Sequence, residues 1–168
     1  MHPLVELAVR AINTFVKDGK RIEPPPLLSE EMKEKAGVFV SIHGGGGLKG
    51  CIGTMVPTKT NVAEEIIANA VAAATQDPRF PPIKAAELEG LEVSVDVLGK
   101  AEKVKDVSEL DAKIYGVIVV SGGKKGLLLP DLEGMHTPEQ QIEMCRKKAW
   151  IDKSEPVELF RFKVKRYH

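Results

Sequence analysis

The chain has 168 residues, 43% of them hydrophobic and 29% charged, the make-up of a globular protein and the length of one domain with room for a small lobe. Lys plus Arg and Asp plus Glu balance at 24 each, so no global field draws the chain onto a polyanion or an anionic membrane, and nucleic acid is set aside as a primary partner. Two cysteines far apart make no disulfide framework, and no run approaches the roughly 18 apolar residues of a membrane span. Residues 1–6 also lack a basic region leading into an apolar one, so the chain is expected in the cytoplasm with both thiols reduced.

Leu4, Ala8, Ala11 and Phe15 recur at helical spacing and predict an amphipathic helix over residues 3–18, ended by Gly19. Pro24, Pro25 and Pro26 make an extended connector, followed by a helical turn capped by Ser29. Residues 37–43 and 48–55 read as two strands pairing antiparallel across the glycine run 44–47. Asn61, with Glu64 three positions on, opens a helix over 61–75 that turns Val62, Ile66, Ala70 and Ala73 to one side. The prolines of Asp77-Pro78-Arg79-Phe80-Pro81-Pro82 make the next stretch stiff and irregular, which fixes Asp77 and Arg79 in place.

Leu91, Val93, Val95 and Val97 alternate with Glu92, Ser94 and Asp96 as a half-buried strand does. Residues 114–120 and 127–130 flank a glycine- and lysine-rich turn at 122–126 and predict a second hairpin. Thr137, Pro138 and Gln140 are the cap, first residue and box-closing residue of a third helix. Phe160, Phe162 and Val164 alternate with Arg161, Lys163 and Lys165 in a last strand. Helices and hairpins in this order predict an α+β fold, a mostly antiparallel sheet with flanking helices.

The stretch Leu48-Lys49-Gly50-Cys51-Ile52-Gly53-Thr54 sets a cysteine between two glycines, where a ligand or a second protein can reach the thiol. Gly45-Gly46-Gly47-Leu48-Lys49-Gly50 fits a dinucleotide fingerprint by spacing, but that motif needs a helix N-terminus directly afterwards, and here a strand follows. If 48–54 is extended, Lys49, Cys51 and Gly53 share one face, opposite Leu48, Ile52 and Thr54. Lys49 then stands where its ammonium favours the thiolate, and His43 ends the partner strand, although a one-residue slip of register would reverse its face. The plain reading of Cys51 is a small hydrophobe in a sheet; Cys145, beside Ile142 and Ala149 on the third helix, reads as core. No metal-ligand spacing and no cofactor motif is present.

The glycine-flanked cysteine, the Asp-x-Arg-Phe-Pro-Pro stretch at 77–82, Gly126-Leu127-Leu128-Leu129-Pro130 and Cys145-Arg146-Lys147-Lys148-Ala149, in this order over nearly the whole chain, resemble the AMMECR domain family. The resemblance implies a two-lobed mixed α/β fold in a single domain spanning 1–168, with no activity established for the family. It also implies an association, in many prokaryotes, with a Memo-like protein and a radical S-adenosylmethionine protein. The family motif usually reads Leu-Arg-Gly-Cys-Ile-Gly; Lys49 here keeps the charge and loses the planar fork that reads a carboxylate or phosphate bidentately.

Two readings follow. In one, the chain is an accessory protein whose cleft, lined by Gly50, Gly53, Thr54, Asp77, Arg79 and Phe80, holds a small molecule or a pathway partner. In the other, it is a cysteine-dependent enzyme, with Cys51 as nucleophile or thiol acceptor, Lys49 lowering its pKa and His43 as base.

Overall fold

The computed structural model describes all 168 residues and divides into two compact units, Met1–Leu98 with Lys165–His168, and Gly99–Val164. The first unit opens with α1 (Pro3–Asp18), capped at its start by the His2 side chain and at its end by Gly19 in the left-handed conformation. The connector leads to the single turn α2 (Glu30–Lys33), where Ser29 Oγ accepts from the Met32 amide. β1 (Val38–Gly44) and β2 (Gly47–Gly53) then pair antiparallel across Gly45 and Gly46, both at positive φ, the twist a two-residue hairpin requires.

α3 (Val62–Thr75) begins at Asn61, whose Oδ1 accepts from the Glu64 amide. Glu64 does not close the expected box; its carboxylate takes the Thr60 amide instead. β3 (Glu92–Leu98) follows a 3-10 turn at Ala85–Gly90, and the sheet is ordered β2, β1, β3 and β8 (Val164–Tyr167). Val38, Val40, Ile42, Val95 and Val97 fill one face of this sheet and pack with Leu4, Ala8, Ile12, Val62, Ile66 and Ala70 of the helices into the larger core. α3 crosses β2 so closely that a Cβ on Gly50 would sit 2.1 Å from the Ala73 carbonyl oxygen, which is why that position is glycine.

The second unit carries its own sheet, ordered β4 (Glu102–Val104), β7 (Glu158–Phe162), β5 (Gly116–Ser121) and β6 (Lys124–Leu128), every pair antiparallel. α4 (Pro138–Ala149) lies against β5 and β6 behind its complete capping box, and Val117, Val119, Leu128, Cys145 and Ile151 make the smaller core. The close crossing recurs here: a Cβ on Gly126 would meet the Cys145 carbonyl oxygen at 2.3 Å.

The α+β class with antiparallel sheets and flanking helices is as expected, but there are two sheets rather than one. The stretch read as one last strand is cut at Lys163 into β7 and β8, which belong to different sheets. β5 starts only at Gly116, because Asp111 draws the Ile114 and Tyr115 amides into a turn, and the second hairpin turns on Gly122 and Gly123 alone. No helix is long and apolar enough to cross a membrane.

Candidate functional site

The face of the first sheet away from the larger core carries the cysteine. Antiparallel register sets Cys51 opposite Ser41, Ser41 opposite Ser94, and Phe39 between Gly53 and Asp96, so these side chains share one face. Ser41 Oγ donates to Cys51 Sγ at 3.2 Å. Gly53 leaves the room in which the Phe39 ring lies over β2, since any Cβ there would fall within 2.5 Å of that ring. Asp96, only 2% exposed, accepts from Arg166 at 2.7 Å and 3.0 Å, and this fork ties β8 to β3.

β2 is an edge strand, and residues opposite one another in the narrow pairs of such a ladder turn their peptide groups outward. The Asp77-x-Arg79 motif meets the outward peptide of Cys51. The Cys51 amide donates to Asp77 Oδ2 at 2.9 Å, and Arg79 donates to the Cys51 carbonyl at 3.4 Å. Arg79 also holds Asp77 through its side chain, at 3.1 Å and 2.9 Å, and its own amide donates to Asp77 Oδ1 at 3.1 Å. One acceptor and one donor thus replace a neighbouring strand and block the edge at the cysteine. The Arg79 bonds hold the Asp77 carboxyl well below its ordinary value, at about 2, and Asp77 in turn raises Arg79. Asp77 is 5% exposed, whereas the guanidinium is 57% exposed and lies 5.2 Å from the Phe80 ring.

Burial pushes the Cys51 thiol above its ordinary value, assisted by the Asp96 and Asp77 charges, and outweighs the Ser41 bond and the Arg79 charge that pull the other way. The sequence-based expectation of a lowered thiol pKa is therefore corrected. The Lys49 ammonium is bonded to Glu87 at 2.9 Å. A bulge between Ile42 and His43 pairs His43 with Leu48 and Glu92, and the side chain is exposed. Ser41, not His43, is the group bonded to the thiol sulfur.

Thr54 leaves the strand and joins a cluster that the sequence reading missed. Glu65, 1% exposed, accepts from the Thr54 and Thr58 hydroxyls and from the Thr58 and Lys59 amides, and so fixes the loop after β2. Burial alone would push Glu65 up, but these bonds outweigh it and hold the carboxyl below its ordinary value. Asn69 adds a bond to the Val38 carbonyl at 2.9 Å and one to Thr54 at 3.4 Å. The available signal was a charged residue three positions after Val62, on the helix face otherwise filled by Ile66 and Ala70. Cys51, Gly53, Asp77, Arg79 and Phe80 lie together at one edge of the sheet, whereas Gly50, expected beside them, is buried on the opposite face against Ala73, and Thr54 turns to Glu65.

The AMMECR1 family model matches residues 5–167. A protein of Thermotoga maritima is 53% identical over 99% of this chain and 97% of its own length. Protein CA_C1420 of Clostridium acetobutylicum is 47% identical over 98% of this chain, which spans only 36% of that larger protein. The crystal structure of the uncharacterized protein PH0010 from Pyrococcus horikoshii superposes with a TM-score of 0.87 at 33% identity, covering 97% of this chain and 88% of that one. Together with the glycine-flanked cysteine and its Asp-x-Arg clasp, these matches establish that the chain belongs to the AMMECR1 family.

Proposed function

We propose that this chain is a cytoplasmic accessory protein that binds a ligand or a partner on the sheet face around residues 48–54, with Cys51 as a neutral recognition group. The observation that carries this reading is the bonding of the thiol: its sulfur accepts from Ser41 Oγ at 3.2 Å, and desolvation shifts it upward from its ordinary value, away from the thiolate. A nucleophile needs the thiolate and a base to make it. A recognition surface needs fixed neutral donors and acceptors around an apolar patch, and Phe39, Ser41, Cys51 and Ser94 supply them. Arg79, oriented by Asp77 and open to solvent, supplies a cation at the rim for a carbonyl or anionic group. The resemblance drawn from the sequence names the partners, a Memo-like protein and a radical S-adenosylmethionine protein of the same genome.

The test titrates the purified chain with each of those two proteins by calorimetry, and follows Cys51 alkylation against pH by peptide mass spectrometry. Binding that survives Cys51→Ser and is lost in Gly53→Val, with half-alkylation above that of a free model thiol, supports the reading. Half-alkylation below it, together with a turnover abolished by Cys51→Ser, would convert the site to a cysteine-dependent enzyme.

A further inference from the structure

β2 is the outer strand of the first sheet, and only part of its open edge is sealed. The Thr54 amide donates to the Val38 carbonyl at 3.0 Å, which sets the phase of the ladder: Ile52 turns its peptide groups to β1, while Cys51 and Gly53 turn theirs outward. Asp77 and Arg79 close the edge at Cys51. Two residues on, about 7 Å along the strand, the amide and carbonyl of Gly53 have no partner in the chain. An unpaired donor and acceptor side by side on a sheet edge are the template for one residue of another strand.

A strand that pairs there meets a stop at the clasp, and the stop is cationic. Arg79 commits Nε and Nη2 to Asp77 and to the Cys51 carbonyl, while its Nη1 has no partner in the chain and its side chain is 57% exposed. Asp77, 5% exposed, keeps its charge turned onto the donors it already holds. Along the same edge the Phe39 ring lies over Gly53, so the side chain of a residue paired with Gly53 falls on the face that carries this ring.

We propose that this edge binds the carboxyl end of an extended peptide, an inference that rests on reading residues 48–54 as a recognition surface. The peptide runs antiparallel to β2. Its penultimate residue exchanges both backbone bonds with Gly53 and sets an apolar side chain against Phe39. Its last residue lies beside Ile52, about 3.4 Å further along, and the terminal carboxylate accepts from Arg79 Nη1. Direction follows from charge: a parallel peptide would bring its amino terminus to the stop and set an ammonium against the guanidinium. A strand running through would collide with the Asp77 carboxylate and the Arg79 side chain.

The experiment titrates the isotope-labelled chain with the peptide acetyl-Ala-Ala-Leu-Ala as its free acid and follows amide shifts by NMR. The free acid should saturate at millimolar concentration and move the Gly53 and Phe39 amides. The carboxamide of the same peptide, and the free acid N-methylated at leucine, should each bind at least about tenfold more weakly, the first for want of the charge-assisted bond and the second for want of the donor to the Gly53 carbonyl. Arg79→Gln should erase the preference for acid over carboxamide, and the two altered peptides test the wild-type chain whatever that variant does to the clasp. Equal binding of acid and carboxamide, equal binding of the N-methylated peptide, shifts that leave Gly53 unmoved, or no binding at millimolar peptide overturns the inference. If the peptides fail while the chain still binds a pathway protein, only the inference falls. The broader reading falls separately, by half-alkylation of Cys51 below a model thiol together with a turnover that Cys51→Ser abolishes.

Discussion

Asp77→Asn is the most direct test of the clasp at the sheet edge. The two carboxylate oxygens accept from the Cys51 amide and from the amide, Nε and one terminal nitrogen of Arg79. Asparagine keeps one oxygen and turns an amide group towards donors, so at least two donors lose their acceptor. The magnitude follows from linkage. The native carboxyl titrates at about 2 and an unfolded aspartate at about 3.9, a gap equivalent to about 2.6 kcal/mol. Because Arg79 is half exposed and screened, about 2 kcal/mol is the better expectation. A depressed native pKa stabilises above the unfolded value and loses that contribution as pH falls, so the gap between wild type and variant should be constant from pH 7 to about pH 5 and roughly halved at pH 3. Urea titrations of both proteins across that range measure it. A gap that is the same at pH 3 and pH 7, or below about 0.5 kcal/mol throughout, would refute the argument.

Gly50→Ala should cost more than about 2 kcal/mol, since its Cβ meets the Ala73 carbonyl oxygen at 2.1 Å and main chain has to move; Gly47→Ala, with nothing within 4 Å, should be nearly neutral in the same urea assay. Glu65→Gln should cost about 2–4 kcal/mol by thermal melting and speed hydrogen exchange at the Thr58 and Lys59 amides, because an amide nitrogen replaces a charged acceptor. Cys145, fully buried and with its thiol pushed up to about 11, should resist alkylation until the chain unfolds, while Cys51 labels slowly in the native state.

Local chemistry was legible in the sequence and long-range partnership was not. The caps at Ser29, Asn61 and Thr137 and the parity of Cys51 follow from short spacings, because each depends on neighbours within a turn or a strand. The partner of the thiol required the register of the hairpin. Two glycines at positive φ close the turn, and the bulge at Ile42 and His43 then swings His43 out of step while leaving Ser41 opposite Cys51. The clasp joins groups 26 positions apart and makes sense only once β2 is known to be an edge; the Asp96–Arg166 fork spans 70 positions. The change of sheet at Lys163 left no trace, since the alternation from Phe160 to Val164 continues through it without glycine or proline.

The return of β8 to the first sheet has a consequence for synthesis. The amino-terminal unit is built from two stretches of chain, and its outer strand is synthesised only after the whole of the second unit. Until then β3 lacks a neighbour on one side, and Asp96 lacks the guanidinium that neutralises it. The growing chain can finish the whole second unit before it can finish the first, so loss of β8 would undo the sheet that was begun earliest.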